Sequence, residues 1–196
     1  ITATLVDSQV TFTSATNFNG SETFAVSVED AEYTDSQIII VTVNAVNDAP
    51  ELDVISDQNM NEGGTKVLLL SGLDVDEDVL IYSITDGTNI LSSIDGSTVT
   101  FSVIDDDWNG AESFTATVSD GEYTEDQIFT VTVNNVNDAP VLAAVSDLSY
   151  DEDGTTTLDL SASDVDEDVL TFSISGGTNI TATLVDSQVT FTSATN

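Results

Sequence analysis

Apolar residues in the middle of the chain step by two: Leu68 and Leu70; Leu80, Tyr82 and Ile84; Val99, Phe101 and Val103; Phe114, Ala116 and Val118; Phe129, Val131 and Val133. Successive side chains of an extended strand point to opposite faces, so this alternation predicts β-strands with one face inward. The same stepping flanks the middle, at Phe24, Val26 and Val28, at Ile39, Val41 and Val43, at Leu158 and Leu160, and at Leu170, Phe172 and Ile174. Helical spacing is sustained nowhere. Between the runs stand Glu62-Gly63-Gly64, Asp86-Gly87, Asp95-Gly96, Asn109-Gly110 and Asp120-Gly121, residue types that reverse a chain at low steric cost. They mark off about seven short strands, which suits an antiparallel Greek-key β-sandwich of the immunoglobulin-like kind. The predicted fold class is all-β.

The pattern repeats. Val46-Asn47-Asp48-Ala49-Pro50 returns as Val136 to Pro140, 90 residues on, and the string from Leu73 to Leu80 is echoed at the same spacing from Ser163 to Leu170. Residues 1–17 recur unchanged as residues 180–196, a repeat of 179. Phe12 is seven steps from Asn19, and Phe101 is eight from Asn109, so modules of 89 and 90 residues alternate, the extra residue falling in the run Asp105, Asp106, Asp107. The expected organisation is residues 1–50 as the C-terminal part of one module, 51–140 as a complete module and 141–196 as the N-terminal part of a third, the whole read as a stretch of a longer repeat chain. No Gly- or Pro-rich linker intervenes. Pro140 fixes its own φ and biases Ala139 toward extended geometry, so the modules are expected end to end.

Charge changes the picture. The chain has 36 Asp and Glu against one basic residue, Lys66, a formal charge of -35, which argues against nucleic acid or an anionic membrane as partner and makes cations the expected one. The periodic Val, Ile, Phe and Tyr argue against a disordered acidic tail. No apolar run reaches transmembrane length, so no membrane insertion is expected. There is no Cys, and a unit of this size without disulfides tends to need metal or neighbour contacts. Long acidic repeats rich in Thr and Ser point to an extracellular or cell-surface location.

Enzymatic function is not expected: paired carboxylates can run glycoside hydrolysis, but Asp74 and Asp76 recur in each module without a His, Lys or Arg cluster. A carbohydrate-binding module would need exposed aromatics. Tyr82, Phe101, Phe114 and Phe129 read as core fillers, and Trp108, the sole indole, has Phe18 as its counterpart and reads as a hydrophobe plugging a loop.

Asp74 and Asp76 lie two apart, so an extended backbone would put both carboxylates on one side, with Glu77 and Asp78 following at once; the string returns at Asp164 to Asp168. Two readings stand, solvated acid for solubility or a metal site. Carboxylates, Asn amides and backbone carbonyls in sixes to eights are the ligands Ca²⁺ takes, and without His or Cys, zinc and cuprous copper are disfavoured.

The Asp-x-Asp pair, the Val-Asn-Asp-Ala-Pro junction and the Ser119-Asp120-Gly121 turn together resemble the cadherin-like (VCBS-type) tandem repeats of large bacterial calcium-binding surface proteins and adhesins, over the whole chain. The resemblance implies Ca²⁺ between modules. It would place Glu62, Asn134, Asn137, Asp138, Asp164 and Asp166 around the second junction. Asn44, Asn47, Asp48, Asp74, Asp76 and Asp120 would surround the first, while Asp30, which matches Asp120, would serve a site upstream. The chain departs from animal cadherins in having Asn44 or Asn134 where they have a leading Asp, and in lacking their mid-module Leu-Asp-Arg-Glu string, which implies fewer or weaker ions.

The expected function is that of a calcium-rigidified spacer or stalk in cell-surface adhesion. The alternatives are a self-assembling fibre or sheath, in which residues 141–179 of one chain and 1–50 of the next form an 89-residue module of a head-to-tail homopolymer, and a carbohydrate-binding module.

Overall fold

The structure is a computed structural model and describes residues 1–194, in which the regular elements are all β-strands. In chain order they are β1 (Thr2–Val6), β2 (Gln9–Thr13), β3 (Gly20–Glu29), β4 (Thr34–Val43), β5 (Glu51–Leu52), β6 (Gln58–Asn61), β7 (Thr65–Leu69), β8 (Gly72–Leu73) and β9 (Ile81–Ile84). There follow β10 (Ile90–Asp95), β11 (Thr98–Val103), β12 (Gly110–Ser119), β13 (Thr124–Asn134), β14 (Val141–Leu142), β15 (Thr155–Asp159), β16 (Ala162–Ser163), β17 (Ile180–Val185) and β18 (Gln188–Ser193). No helix among the described residues is long and apolar enough to cross a membrane.

The central sandwich is framed by the hairpin β12–β13, paired from Gly110↔Val133 to Ser119↔Thr124. With β6 and β9 on its edges it forms a four-stranded sheet in the order β6-β13-β12-β9, and a three-stranded sheet in the order β10-β11-β7 faces it. The alternating apolar residues meet between the sheets: Val99, Phe101, Phe114, Ala116, Val118 and Val131 are fully buried. Phe101 stands edge-on to Phe114, centroids 5.0 Å apart, and to Phe129 at 6.1 Å, a geometry in which ring edges meet ring faces favourably.

Three features differ from the sequence expectation. The sandwich is antiparallel except at one edge, where β6 runs parallel to β13 with Val131↔Gln58 and Asn134↔Asn61; after β6 the chain turns at Glu62 to Gly64 and crosses into the other sheet as β7. The short pair β5–β8 and strand β10 carry too little alternation to stand out, although Ile90 is fully buried. The run Leu170, Phe172, Ile174 forms no strand. Its counterpart β9 exists by pairing with β12, and among the described residues the third segment has no hairpin equivalent to β12–β13. The counterpart of β6, residues 148–151, is unpaired for the same reason.

The outer segments are open half-structures. The first comprises the hairpins β1–β2 and β3–β4, which meet where Phe12 stands edge-on to Phe24 at 5.1 Å. The third comprises the sheet β15-β18-β17 and the pair β14–β16.

Trp108 packs against the core as a loop plug. Its ring also explains the glycine two residues on: a Cβ at Gly110, where φ is +153°, would sit 2.7 Å from the indole.

Candidate metal centre at the module junctions

The edge strand β6 carries Glu62 to the end of the sandwich at which β13 leaves it. The Glu62 N–H donates to the Asn134 carbonyl at 3.0 Å, and its Oε1 accepts from the Val136 N–H at 2.6 Å, tying the carboxylate to the outgoing chain. Four residues past β13, the Asp138 N–H donates to Asp166 Oδ2 at 2.6 Å. Glu62, Asp138 and Asp166 thereby each offer a carboxylate oxygen within 4.8 Å of the others, within reach of a single divalent ion. These three belong to the sandwich, the junction and the following segment.

The first junction repeats the contact between the two aspartates. The Asp48 N–H donates to Asp76 Oδ2 at 2.8 Å, and Asn47 Nδ2 donates to Asp120 Oδ2 at 2.8 Å. The aspartate pairs are not held by extended backbone as the spacing suggested. The Glu77 N–H reaches the Asp74 carbonyl at 3.4 Å with Glu77 at φ +62°, closing a tight turn, and Asp74 Oδ1 accepts the N–H groups of Asp76 and Asp78 at 2.9 and 3.2 Å. Asp164 accepts from Asp166 and Asp168 in the same way, at 3.1 and 3.3 Å, with Glu167 at φ +59°. Local self-capping of this kind accounts for one oxygen of each leading Asp. The other oxygen of Asp74 is not accounted for: Asp74 is 6 % exposed, and its Oδ2 is buried without a hydrogen-bond partner, as is Glu62 Oε2. Buried carboxylate oxygens left unpaired are costly.

The Asn side chains divide. Asn47 joins the first cluster and Asn44 lines a cavity with Asn17, Asp48 and Asp76. Asn134 Nδ2 instead reaches Asn61 Oδ1 at 3.4 Å, and Asn137 Nδ2 donates to the Asp138 carbonyl at 2.7 Å; these two are engaged elsewhere in the present geometry.

One nearby carboxylate escaped sequence reading. Asp107, in the loop that carries the extra residue of the longer module, is raised above its ordinary pKa by desolvation and then by the charges of Asp138, Asp105, Asp106 and Asp166, so the β11–β12 loop reaches the second junction. The one-residue insertion in an acidic run was the available signal. Asp120 is held below the ordinary carboxylate range, chiefly by the Tyr123 N–H against partial desolvation, with help from the Glu122 N–H and Asn47. The backbone bonds to it are 2.6 and 2.7 Å. Asp30 is lowered likewise, through the N–H groups of Glu32 and Tyr33.

Residues 47–134 match the family model described as a bacterial Ig domain. Among solved structures, human protocadherin-24 EC1-2 aligns with a TM-score of 0.44 at 20% identity, over 61% of this chain and 62% of that one. The titin domains Z1Z2 in complex with telethonin align at 0.37 and 11% identity, over 76% of this chain and 84% of that one. An endo-fucoidan hydrolase of glycoside hydrolase family 107 aligns at 0.36 and 19% identity, over 98% of this chain and 34% of that one. No curated protein matches. The chain contains no His or Cys and a single Lys or Arg, and so lacks the usual partners of a catalytic nucleophile or acid. The central segment and the strand pattern on either side of it describe an all-β array of tandem Ig-like β-sandwich modules.

Proposed function

We propose that this chain is a calcium-stiffened spacer of a bacterial surface protein or adhesin outside the cell, with residues 51–140 as its complete module. The observation that supports it is the meeting of Glu62, Asp138 and Asp166 from three parts of the chain within 4.8 Å, where Glu62 Oε2 is buried without a hydrogen-bond partner. Glu62, Asp138, Asp164 and Asp166 would hold an ion at the second junction, and Asn47, Asp48, Asp74, Asp76 and Asp120 at the first. An all-oxygen set of this kind suits Ca²⁺. Bound there, Ca²⁺ would supply charge neutralisation and a bridge between modules. The residues themselves give each junction one hydrogen bond from its own backbone, through the N–H of Asp48 at the first and of Asp138 at the second, and the repulsion among their carboxylates would make each a hinge when no cation is present.

For extracellular modules, dissociation constants of roughly 10⁻⁴ to 10⁻³ M are typical, and a site at about 100-fold excess of ligand adds about 2.7 kcal/mol. Calcium titration of chelated protein, followed by thermal unfolding and small-angle scattering, tests the reading. Saturable stabilisation and a longer, stiffer particle are expected, both reduced in Asp166→Asn. A response equalled by Na⁺ at the same ionic strength would reduce the clusters to surface charge.

A further inference from the structure

The loop between β11 and β12 is seated on the second junction. The Trp108 N–H donates to the Asp105 carbonyl at 3.0 Å and closes the loop into a turn. On one side of the turn the Asp106 carbonyl oxygen lies 3.8 Å from where a Cβ on Gly63 would stand, next to Glu62. On the other, Asn109 Nδ2 donates to Asn135 Oδ1 at 2.8 Å, which fixes the loop to the chain leaving β13. Asp107 stands between these two anchors, close enough to Asp138 and Asp166 to feel their charges. There the carboxylates of Glu62, Asp138 and Asp166 already converge within 4.8 Å, and Glu62 Oε2 is buried without a hydrogen-bond partner.

At the first junction the corresponding loop, between β2 and β3, takes the same place with different chemistry. The Phe18 N–H donates to the Ala15 carbonyl at 3.3 Å, as Trp108 does to Asp105, and Asn17 lines a cavity with Asn44, Asp48 and Asp76. Ala15, Thr16 and Asn17 stand where the second junction has Asp105, Asp106 and Asp107, and Ala45 stands where it has Asn135. The charge and the side-chain anchor are therefore lost together. The neutral loop Ser14-Ala15-Thr16-Asn17 returns in the sequence as Ser193 to Asn196, so the loops run neutral, acidic, neutral along the chain.

We infer, on the calcium reading proposed above, that the two kinds of junction answer the cation differently. The acidic, anchored loop makes the second junction the tight and responsive one, the neutral loop makes the first the weak one, and the stiffness of the array alternates with the two-module period of 179 residues. A further carboxylate held beside the cluster adds attraction for a divalent cation, and in partly desolvated surroundings that attraction is screened less than at an open surface. The same carboxylate adds repulsion when no cation is present. Asp107 thus widens the difference between the two states from both sides, whereas Asn17 can offer a ligand oxygen and no charge. The bond from Asn109 to Asn135 holds the loop to the junction, so that the charge does not swing away into solvent.

The chain carries its own reporter. Trp108, the sole indole, follows Asp107 in the loop, so its fluorescence reads the second junction, and Phe18→Trp combined with Trp108→Phe moves the reporter to the first. Ca²⁺ should be titrated into the chelated 196-residue chain at fixed ionic strength with each reporter. Asp107→Asn should raise the calcium midpoint seen by Trp108 about tenfold, the effect of one nearby charge. In the relocated reporter Asn17→Asp should lower the midpoint of the first junction by a similar factor. Asp95→Asn is the control: Asp95 lies at the opposite end of the β10–β11 hairpin, and removing its charge should leave the Trp108 midpoint where it was. A midpoint unmoved by Asp107→Asn or by Asn17→Asp, or moved equally by Asp95→Asn, overturns the alternation while leaving calcium at the junctions. No saturable response at either reporter beyond that to Na⁺ overturns the calcium reading itself, and the alternation with it.

Discussion

Glu112 shows how much a single acid can do in a chain that carries 36 of them. Burial opposes its charge, yet the N–H groups of Asn89, Ile90 and Thr88 and the Asn89 amide hold its carboxyl below the ordinary range, at 2.8 to 3.2 Å. It pins the connection from β9 to β10. Glu112→Ala should cost about 2 kcal/mol, since it orphans several donors at once, and chemical denaturation at pH 7 would measure it. The folded pKa is depressed, so the contribution is complete above the unfolded value of about 4.3 and is lost as pH falls through the folded value; the difference between wild type and Glu112→Gln should shrink as acid is added below pH 4.3. Sequence reading did not single out Glu112, although Asn-Gly-x-Glu-x-Phe stands at both Asn19 to Phe24 and Asn109 to Phe114. Asp107 has the opposite sign: its pKa is raised by desolvation first and by the neighbouring aspartates after it, a penalty on the charged form that is complete above the folded pKa and relieved as pH drops. Asp107→Asn should raise the melting temperature of the calcium-free protein and weaken its response to Ca²⁺, both read in one calorimetric series.

At the scale of elements, alternation specifies which residues face inward, and partners decide whether a strand exists. Ile81–Ile84 is a strand because β12 lies beside it; residues 171–174, with the same apolar stepping, are not. The leading segment before β6 is likewise held from outside itself. The Ile55 N–H donates to Gln127 Oε1 at 2.9 Å, Gln127 Nε2 donates to the Leu52 carbonyl at 2.7 Å, and the Leu52 N–H donates to Glu125, so the polar residues that continue the core-facing side of β13 beyond Phe129 clip it in place. Turn glycines differ in what they tolerate. A Cβ on Gly87 would lie 2.2 Å from the Ile90 carbonyl oxygen, whereas one on Gly96, at φ +60°, meets nothing within 4 Å. Gly87→Ala should therefore cost about 3 kcal/mol through backbone displacement, and Gly96→Ala only about 1 kcal/mol for the left-handed conformation. Equilibrium unfolding of the two variants checks the ranking.

For the molecule as a whole, a net charge of -35 sets the terms. Self-repulsion opposes the compact state and is screened by salt, so moderate NaCl should stabilise the chain, and Ca²⁺ should stabilise it further at equal ionic strength if the junctions bind it. Phe101, buried between both sheets against Phe114 and Phe129, carries the core that withstands this repulsion; Phe101→Ala should cost about 4 kcal/mol, and should unfold the central sandwich at physiological temperature unless Ca²⁺ is present.

The sequence alone determined the all-β class, the inward face of each central strand, the repeat and the acidic character of the junctions, because period-two alternation, turn residues and charge are local properties that need no partner to be read. Tertiary structure decided what depends on distant residues meeting. It made β6 parallel to β13, denied residues 171–174 a strand, folded Asp74 to Asp78 into a turn where an extended run was expected, engaged the side-chain amides of Asn134 and Asn137 with Asn61 and the Asp138 carbonyl, and brought Asp107 under the charges of Asp138 and Asp166. Hydrogen-bonded pairing and the energy of a buried carboxylate both depend on a second group whose position no nearby residue encodes.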